Sequence, residues 1–246
     1  MSEFVAEFIG TMILVLLGDG VVANVCLKGT KGNAGGWIVI TIGWGLAVFV
    51  AVAITGEFSG AHINPAVTIG LAAAGKFAVG KVALFLIAQF LGGAAGAFLV
   101  WLFYKDHYDL TTDEGTILGT FATGPAIRNP VRNVLCEVIG TFVLLLAVLY
   151  ASCPTFTSGT EEVKVGLGCL GAIPVALVVM AIGLSLGGTT GYAINPARDL
   201  GPRLVHQLVP IQNKGASDWA YGWVPIVGPI LGGLLAAFVY GLWPSI

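Results

Sequence analysis

Apolar residues run almost without interruption at six places along the chain, roughly 4–27, 37–55, 82–104, 133–152, 166–187 and 221–243. A run of about 20 helical residues, at 1.5 Å each, matches the ~30 Å hydrocarbon core of a bilayer. The runs do not alternate polar and apolar positions, which argues against a barrel, so backbone groups facing lipid must be satisfied inside helices. Two shorter apolar stretches begin at Pro65 and Pro196. Each has roughly ten helical residues, enough for half a crossing. The pattern predicts an all-α integral membrane protein of six transmembrane helices plus two re-entrant half-helices.

Both short stretches open on the same tripeptide, Asn64-Pro65-Ala66 and Asn195-Pro196-Ala197, which are 195 − 64 = 131 residues apart. Asn caps a helix, Pro suits its first turn, and small Ala permits close approach. Two such starts in an apolar chain are the pattern of half-helices whose N-termini meet near the bilayer midplane. Other matches are collinear with this one. Ala6-Glu7-Phe8-Ile9-Gly10-Thr11 is echoed by Cys136-Glu137-Val138-Ile139-Gly140-Thr141, and Leu91-Gly92-Gly93 by Leu231-Gly232-Gly233. The chain therefore reads as one membrane domain, 1–246, built of two repeats at approximately 1–105 and 130–246. Each repeat holds three spans, an odd number, so the second enters the membrane in the opposite sense. Gly92 with Gly96, and Gly228 with Gly232, have the small-xxx-small spacing of closely packed membrane helices.

Composition narrows the picture further. Hydrophobic residues make up 57% of the 246 and charged residues 10%, too apolar for a soluble domain of this length. A net charge of −2 offers no basic face for nucleic acid. Cys26, Cys136, Cys153 and Cys169 show no metal-ligand spacing and read as structural. No phosphate-binding loop, nucleophile elbow or metal cluster points to an enzyme, a cofactor or a metal. The N-terminus has no basic region followed by a cleavage site, so the first apolar run is expected to remain as a span.

A few polar residues inside the apolar runs need a reason. Glu7 and Glu137 occupy equivalent places in the two repeats, where a carboxylate is costly without partners. Each is expected to accept hydrogen bonds from the loop before its half-helix. His62 reads as a loop-fixing residue. Asp19, between Gly18 and Gly20, faces a vestibule or pairs with a basic residue of an outer loop. Glu57 and the run Asp106, Asp109, Asp113, Glu114 read as solvated.

The segments Ser59-Gly60-Ala61-His62-Ile63-Asn64-Pro65-Ala66-Val67-Thr68 and Thr190-Gly191-Tyr192-Ala193-Ile194-Asn195-Pro196-Ala197-Arg198-Asp199 resemble those of the aquaporin and glycerol-facilitator family, and the resemblance covers essentially the whole chain. It implies an aquaporin-like right-handed bundle, and Asp199 after Arg198 is similar to the glycerol-conducting branch. By that resemblance the narrowest part of the pore is lined by Trp44, Gly183, Tyr192 and Arg198. Arg198 would donate to polyol oxygens, the two rings would contact carbon, and Gly183 would leave room for the carbon chain. The usual residue at the Tyr192 position is Phe, so the hydroxyl either leaves the lumen for a protein partner or enters it. Asn64 and Asn195 would turn amide N–H groups into the lumen. The stretches holding Gly60, Ala61, His62 and Ile63, and Thr190 and Gly191, are expected to be extended and to line it with carbonyls.

The resemblance implies a passive channel for glycerol and other small uncharged solutes, with water permeability and exclusion of ions and protons. It further implies a homotetramer in the cytoplasmic membrane of a bacterium. A carrier built on the same inverted repeats, or a junction-forming protein without transport, are the competing classes. One tension remains. With both termini cytoplasmic, Lys76, Lys81 and Lys164 lie inside against Lys28, Lys31, Lys105, Arg128, Arg132, Arg198, Arg203 and Lys214 outside, the reverse of the positive-inside tendency.

Overall fold

The computed structural model describes residues 1–151, 155–158 and 161–243. In chain order it contains α1 (Glu3–Cys26), α2 (Trp37–Ser59), the short α3 (Pro65–Ala73), a 3-10 turn (Val79–Lys81) running into α4 (Val82–Phe103), and two outer-loop helices, α5 (Lys105–Leu110) and α6 (Glu114–Gly119). There follow α7 (Pro130–Tyr150), the strands β1 (Thr155–Ser158) and β2 (Glu161–Lys164), a 3-10 segment (Gly168–Ala172) leading into α8 (Ile173–Leu186), α9 (Pro196–Leu208) and α10 (Val224–Leu242). Six of these helical stretches are long and apolar enough to cross a membrane, at the places the hydrophobic pattern predicts. The helices α3 and α9, of 9 and 13 residues, are the half-helices.

The departures are local and have local causes. The fourth crossing starts at Pro130, three residues earlier than the apolar run (133 − 130), because the Asn129 side chain accepts the Arg132 N–H and Pro130 fills the first turn. The fifth crossing begins as a 3-10 segment and becomes α-helical only at Ile173, with Pro174 in its first turn. Among the described residues, the small antiparallel hairpin of β1 and β2, in the connection between α7 and α8, departs from the all-α expectation. Of the four cysteines, Cys26, Cys136 and Cys169 are free thiols, and Cys153 lies outside the described residues.

Packing follows from small residues. In lipid, helices gain nothing from burying apolar surface against one another, so close van der Waals contact must hold them. A Cβ built on Gly92 would sit 2.3 Å from the Phe8 carbonyl oxygen, and one on Gly96 2.5 Å from that of Met12. On the other side, a Cβ on Gly232 would meet the Val138 oxygen at 2.3 Å. So α4 lies backbone to backbone on α1, and α10 on α7. Next to these contacts, Gly93 receives the Ala197 carbonyl of α9 and Gly233 the Ala66 carbonyl of α3, at 2.5 and 2.8 Å from a built Cβ. Each half-helix start is thus wedged against a crossing of the opposite half of the chain. The outer faces carry Leu46, Ile87, Leu102, Leu177 and Phe238 exposed, as a lipid-facing belt requires.

Candidate functional site: two half-helix starts and the space between them

At both starts the Asn side chain does two jobs. The Asn64 Oδ1 accepts the Ala66 N–H at 2.9 Å, and the Asn195 Oδ1 accepts the N–H groups of Ala197 and Arg198 at 3.0 and 3.3 Å. Each Nδ2 then donates across to the other loop, Asn64 to the Ile194 carbonyl at 2.7 Å and Asn195 to the Ile63 carbonyl at 2.8 Å. The starts are therefore tied to one another. One N–H of each amide is engaged in this tie, which leaves the second for the lumen.

The loops before them are not extended. Gly60, Ala61 and Ile63 have φ of 81°, 47° and 43°, and Gly191, Tyr192 and Ile194 repeat this with 80°, 38° and 42°. A non-glycine residue in this region is strained by about 1 kcal/mol or more, so something must hold it there. Two carboxylates do. Glu7 accepts the His62 and Ile63 N–H groups at 2.9 and 2.7 Å and the Ser59 hydroxyl at 2.6 Å. Glu137 accepts those of Ala193 and Ile194 at 3.0 and 2.8 Å and the Thr190 hydroxyl at 2.7 Å. With the N–H edge held, the carbonyls of Gly60, Ala61, His62, Gly191, Tyr192 and Ala193 accept from no protein donor among the described residues. They are open to a solute. Thr190 lines neither cavity described below, and its contact with Glu137 places it with the supports.

Two cavities lie along this axis. One, of about 330 Å³, runs from Leu167 and Gly171 past Gly60, Ala61, His62, Ile63, Asn64 and Asn195. The other, of about 490 Å³, lies on the side of α6 and the 119–124 segment and reaches Gly191. Trp44, Tyr192 and Arg198 line both. The guanidinium of Arg198 lies over the Trp44 ring, 4.1 Å from its centroid. Its Nη1 reaches the Phe121 carbonyl at 3.4 Å and Asp19 at 3.3 Å, whereas Nε and Nη2 have no protein acceptor among the described residues. Trp44 is thus first a platform for Arg198.

Gly183 lines neither cavity. A Cβ there would meet Tyr192 Cζ at 2.8 Å, its hydroxyl at 3.0 Å and Thr41 Cγ2 at 2.9 Å. The space that Gly183 leaves is filled by the Tyr192 ring. The hydroxyl is buried without a hydrogen-bond partner among the described residues, so neither expectation for it holds in full.

Residues 1–240 match the major intrinsic protein family. The chain belongs to that family. Among its relatives, a glycerol uptake facilitator protein of Streptococcus pneumoniae is 51% identical over 243 residues, covering 99% of this chain and 100% of the relative. The glycerol uptake facilitator protein 3 of Lactiplantibacillus plantarum is 51% identical over 242 residues, 98% of this chain and 97% of the relative. The X-ray structure of the aquaglyceroporin from Plasmodium falciparum superposes with a TM-score of 0.81 at 32% identity, over 97% of this chain and 94% of that one. This major intrinsic protein is accordingly a multi-pass protein of the cell membrane.

Several residues of this family member's site escape a reading of the sequence. Gln89, buried in α4, donates through Nε2 to Glu7 at 2.7 Å and Thr68 at 2.9 Å, and Thr68 also contacts the His62 ring at 3.1 Å. Asp199 does not face a cavity. It accepts the Thr123 N–H and hydroxyl, both at 2.7 Å, and a two-pronged contact from Arg203 at 2.8 and 3.0 Å. Arg203 is fully buried and also holds the Ser217 and Thr123 carbonyls, each at 2.8 Å. Asp199 and Arg203 thereby pin the 121–123 segment whose Phe121 carbonyl steadies Arg198. Arg198 and Arg203 are both engaged inside the protein, so two of the eight outer cations are not loop charges and weigh little on topology.

Proposed function

We propose that this protein is a passive channel for glycerol and other small uncharged polyols, with water also passing and with no bond made or broken. The observation that carries the proposal is that Trp44, Tyr192 and Arg198 line both cavities. There, two guanidinium nitrogens of Arg198 have no protein acceptor among the described residues, on the same cavity that the loop residues Gly60, Ala61, His62 and Ala193 line. A polyol has hydroxyls along one edge and C–H groups along the other. Its hydroxyls meet Arg198 and the carbonyls of the two loops, and its carbons meet Tyr192 and the apolar wall of Val48, Val52, Val67, Leu71, Val175 and Val178. Replacing part of the solute's hydration without binding it tightly is what fast passage needs. Gly183 serves this arrangement indirectly, by letting Tyr192 stand back from the axis. The full-length relatives named glycerol uptake facilitators support the choice of solute.

Ion exclusion belongs to the same proposal. Two half-helix N-termini each bring about half a positive charge to the midplane, which opposes cations and protons. Anions must shed their hydration in a partly apolar tube, at several kcal/mol. We also read 1–105 and 130–246 as inverted copies of one unit, on the matched φ values and matched carboxylates. The family resemblance supports a homotetramer with one pore per subunit, which the mass of the detergent-solubilised protein tests.

The function is tested by reconstituting the purified protein in liposomes and following light scattering after a glycerol gradient and, separately, after an impermeant-osmolyte gradient. Fast re-swelling in glycerol is expected. Fast water flux without glycerol entry would overturn the polyol reading.

A further inference from the structure

Asp19 is a fully buried carboxylate on α1, 179 residues from Arg198, and one of its oxygens stands 3.3 Å from Arg198 Nη1. Its other oxygen is buried and has no partner among the described residues. The neighbouring Gly18 seats the Trp44 indole, since a Cβ there would come within 2.2 Å of that ring. One step of α1 therefore seats both halves of the Trp44–Arg198 stack. Asp19 itself lines neither cavity, while Arg198 lines both, so the pair presents its guanidinium to the solute and keeps its carboxyl in the wall.

We propose that Asp19 is a specificity-determining residue that acts through Arg198, in two ways. It holds the Nη1 edge of the guanidinium to the wall, which leaves Nε and Nη2 to donate to solute oxygens. It also balances the Arg198 charge where the two cavities meet, so that this point attracts no anion and the channel discriminates a neutral polyol from a small carboxylate or other small anion. The proposal rests on the polyol-channel reading and adds to the dehydration cost a second, electrostatic contribution to anion exclusion. A guanidinium with no counter-charge would make the same point an anion site, because a unit charge a few ångströms away is weakly screened in a narrow pore.

The test compares wild-type protein, Asp19→Asn and Asp19→Glu in liposomes, with glycerol re-swelling and nitrate or formate influx measured on the same preparation. Asp19→Asn keeps the shape and removes the charge. It is expected to raise anion influx about tenfold or more relative to glycerol flux, and Asp19→Glu is expected to retain exclusion. If the Asn variant is not recovered as a channel, Asp19→Ser is read in its place. An unchanged anion-to-glycerol ratio in a variant that still conducts glycerol would overturn the proposal, as would equal anion leak in the Asn and Glu variants. Wild-type protein that conducts no glycerol would instead overturn the polyol reading, so the two failures are distinguishable.

Discussion

The two half-helices start alike and then diverge. Through Asn-Pro-Ala they share cap, carboxylate and loop twist, but at the next two positions α3 has Val67 and Thr68 where α9 has Arg198 and Asp199. In α3 those residues serve the wall and a neutral network: Val67 lines a cavity, and Thr68 joins Gln89 and His62. In α9 they carry charge, one to the junction of the cavities and one to Arg203 and the outer loops. A common support thus leaves one copy free to be a plain wall and lets the other become the discriminating element.

The two starts differ most in stability at the charged end. Asp199→Ala leaves the fully buried Arg203 without its carboxylate, a loss of about 3–5 kcal/mol. Thr68→Val at the matching position removes only neutral hydrogen bonds, about 1–2 kcal/mol. Thermal unfolding in detergent should rank the two in that order, and equal losses would deny that α9 carries the heavier network.

The supports themselves separate next. Glu→Gln at either carboxylate takes away one acceptor for the twisted loop, about 1–3 kcal/mol. Beside Glu7, however, the Gln89 amide can turn and offer its unpartnered oxygen to the new side chain, whereas among the described residues no such amide contacts Glu137. Glu137→Gln should therefore be the more destabilising of the two by about 1 kcal/mol. A larger loss at Glu7→Gln would refute this.

Gly183→Ala acts on the second half alone. Its methyl meets the Tyr192 ring and Thr41, and overpacking of this kind amounts to about 1–3 kcal/mol. The ring is pushed toward the axis, so glycerol flux should fall more than water flux. Adding Tyr192→Ala should relieve the clash, and unchanged glycerol flux in the single variant would disprove the seating of Tyr192. The smallest effect is at the caps. Asn195 satisfies two backbone N–H groups and Asn64 one, so Asn195→Ala should exceed Asn64→Ala by only about 0.5–1 kcal/mol.

What the sequence makes legible here is whatever its own spacing dictates. The six crossings follow from apolar runs of bilayer length, and the half-helices from Asn-Pro at their starts. Glu7 and Glu137 are legible because a lone carboxylate in such a run demands partners, and the nearest orphan N–H groups are those of the loops. Gln89 and Asp19 resist such reading, because their meaning lies in partners 82 and 179 residues away. Gly183 and Asp199 are hidden for a related reason. The resemblance sets Gly183 in the pore lining and gives Asp199 no contact of its own, whereas the structure turns Gly183 toward the Tyr192 ring and Asp199 toward Thr123 and Arg203. The positive φ values are equally hidden, since Ala61, Tyr192 and the two isoleucines have no intrinsic preference for them and are held there by the carboxylates.

The most direct test of the central claim, that a fixed pore rather than an alternating site joins the two cavities, is initial glycerol flux in proteoliposomes as a function of glycerol concentration, with the vesicle interior empty or preloaded. A pore predicts flux that rises linearly with the gradient and is not accelerated by glycerol on the far side. Saturation at low concentration together with counterflow would contradict it and reveal a carrier.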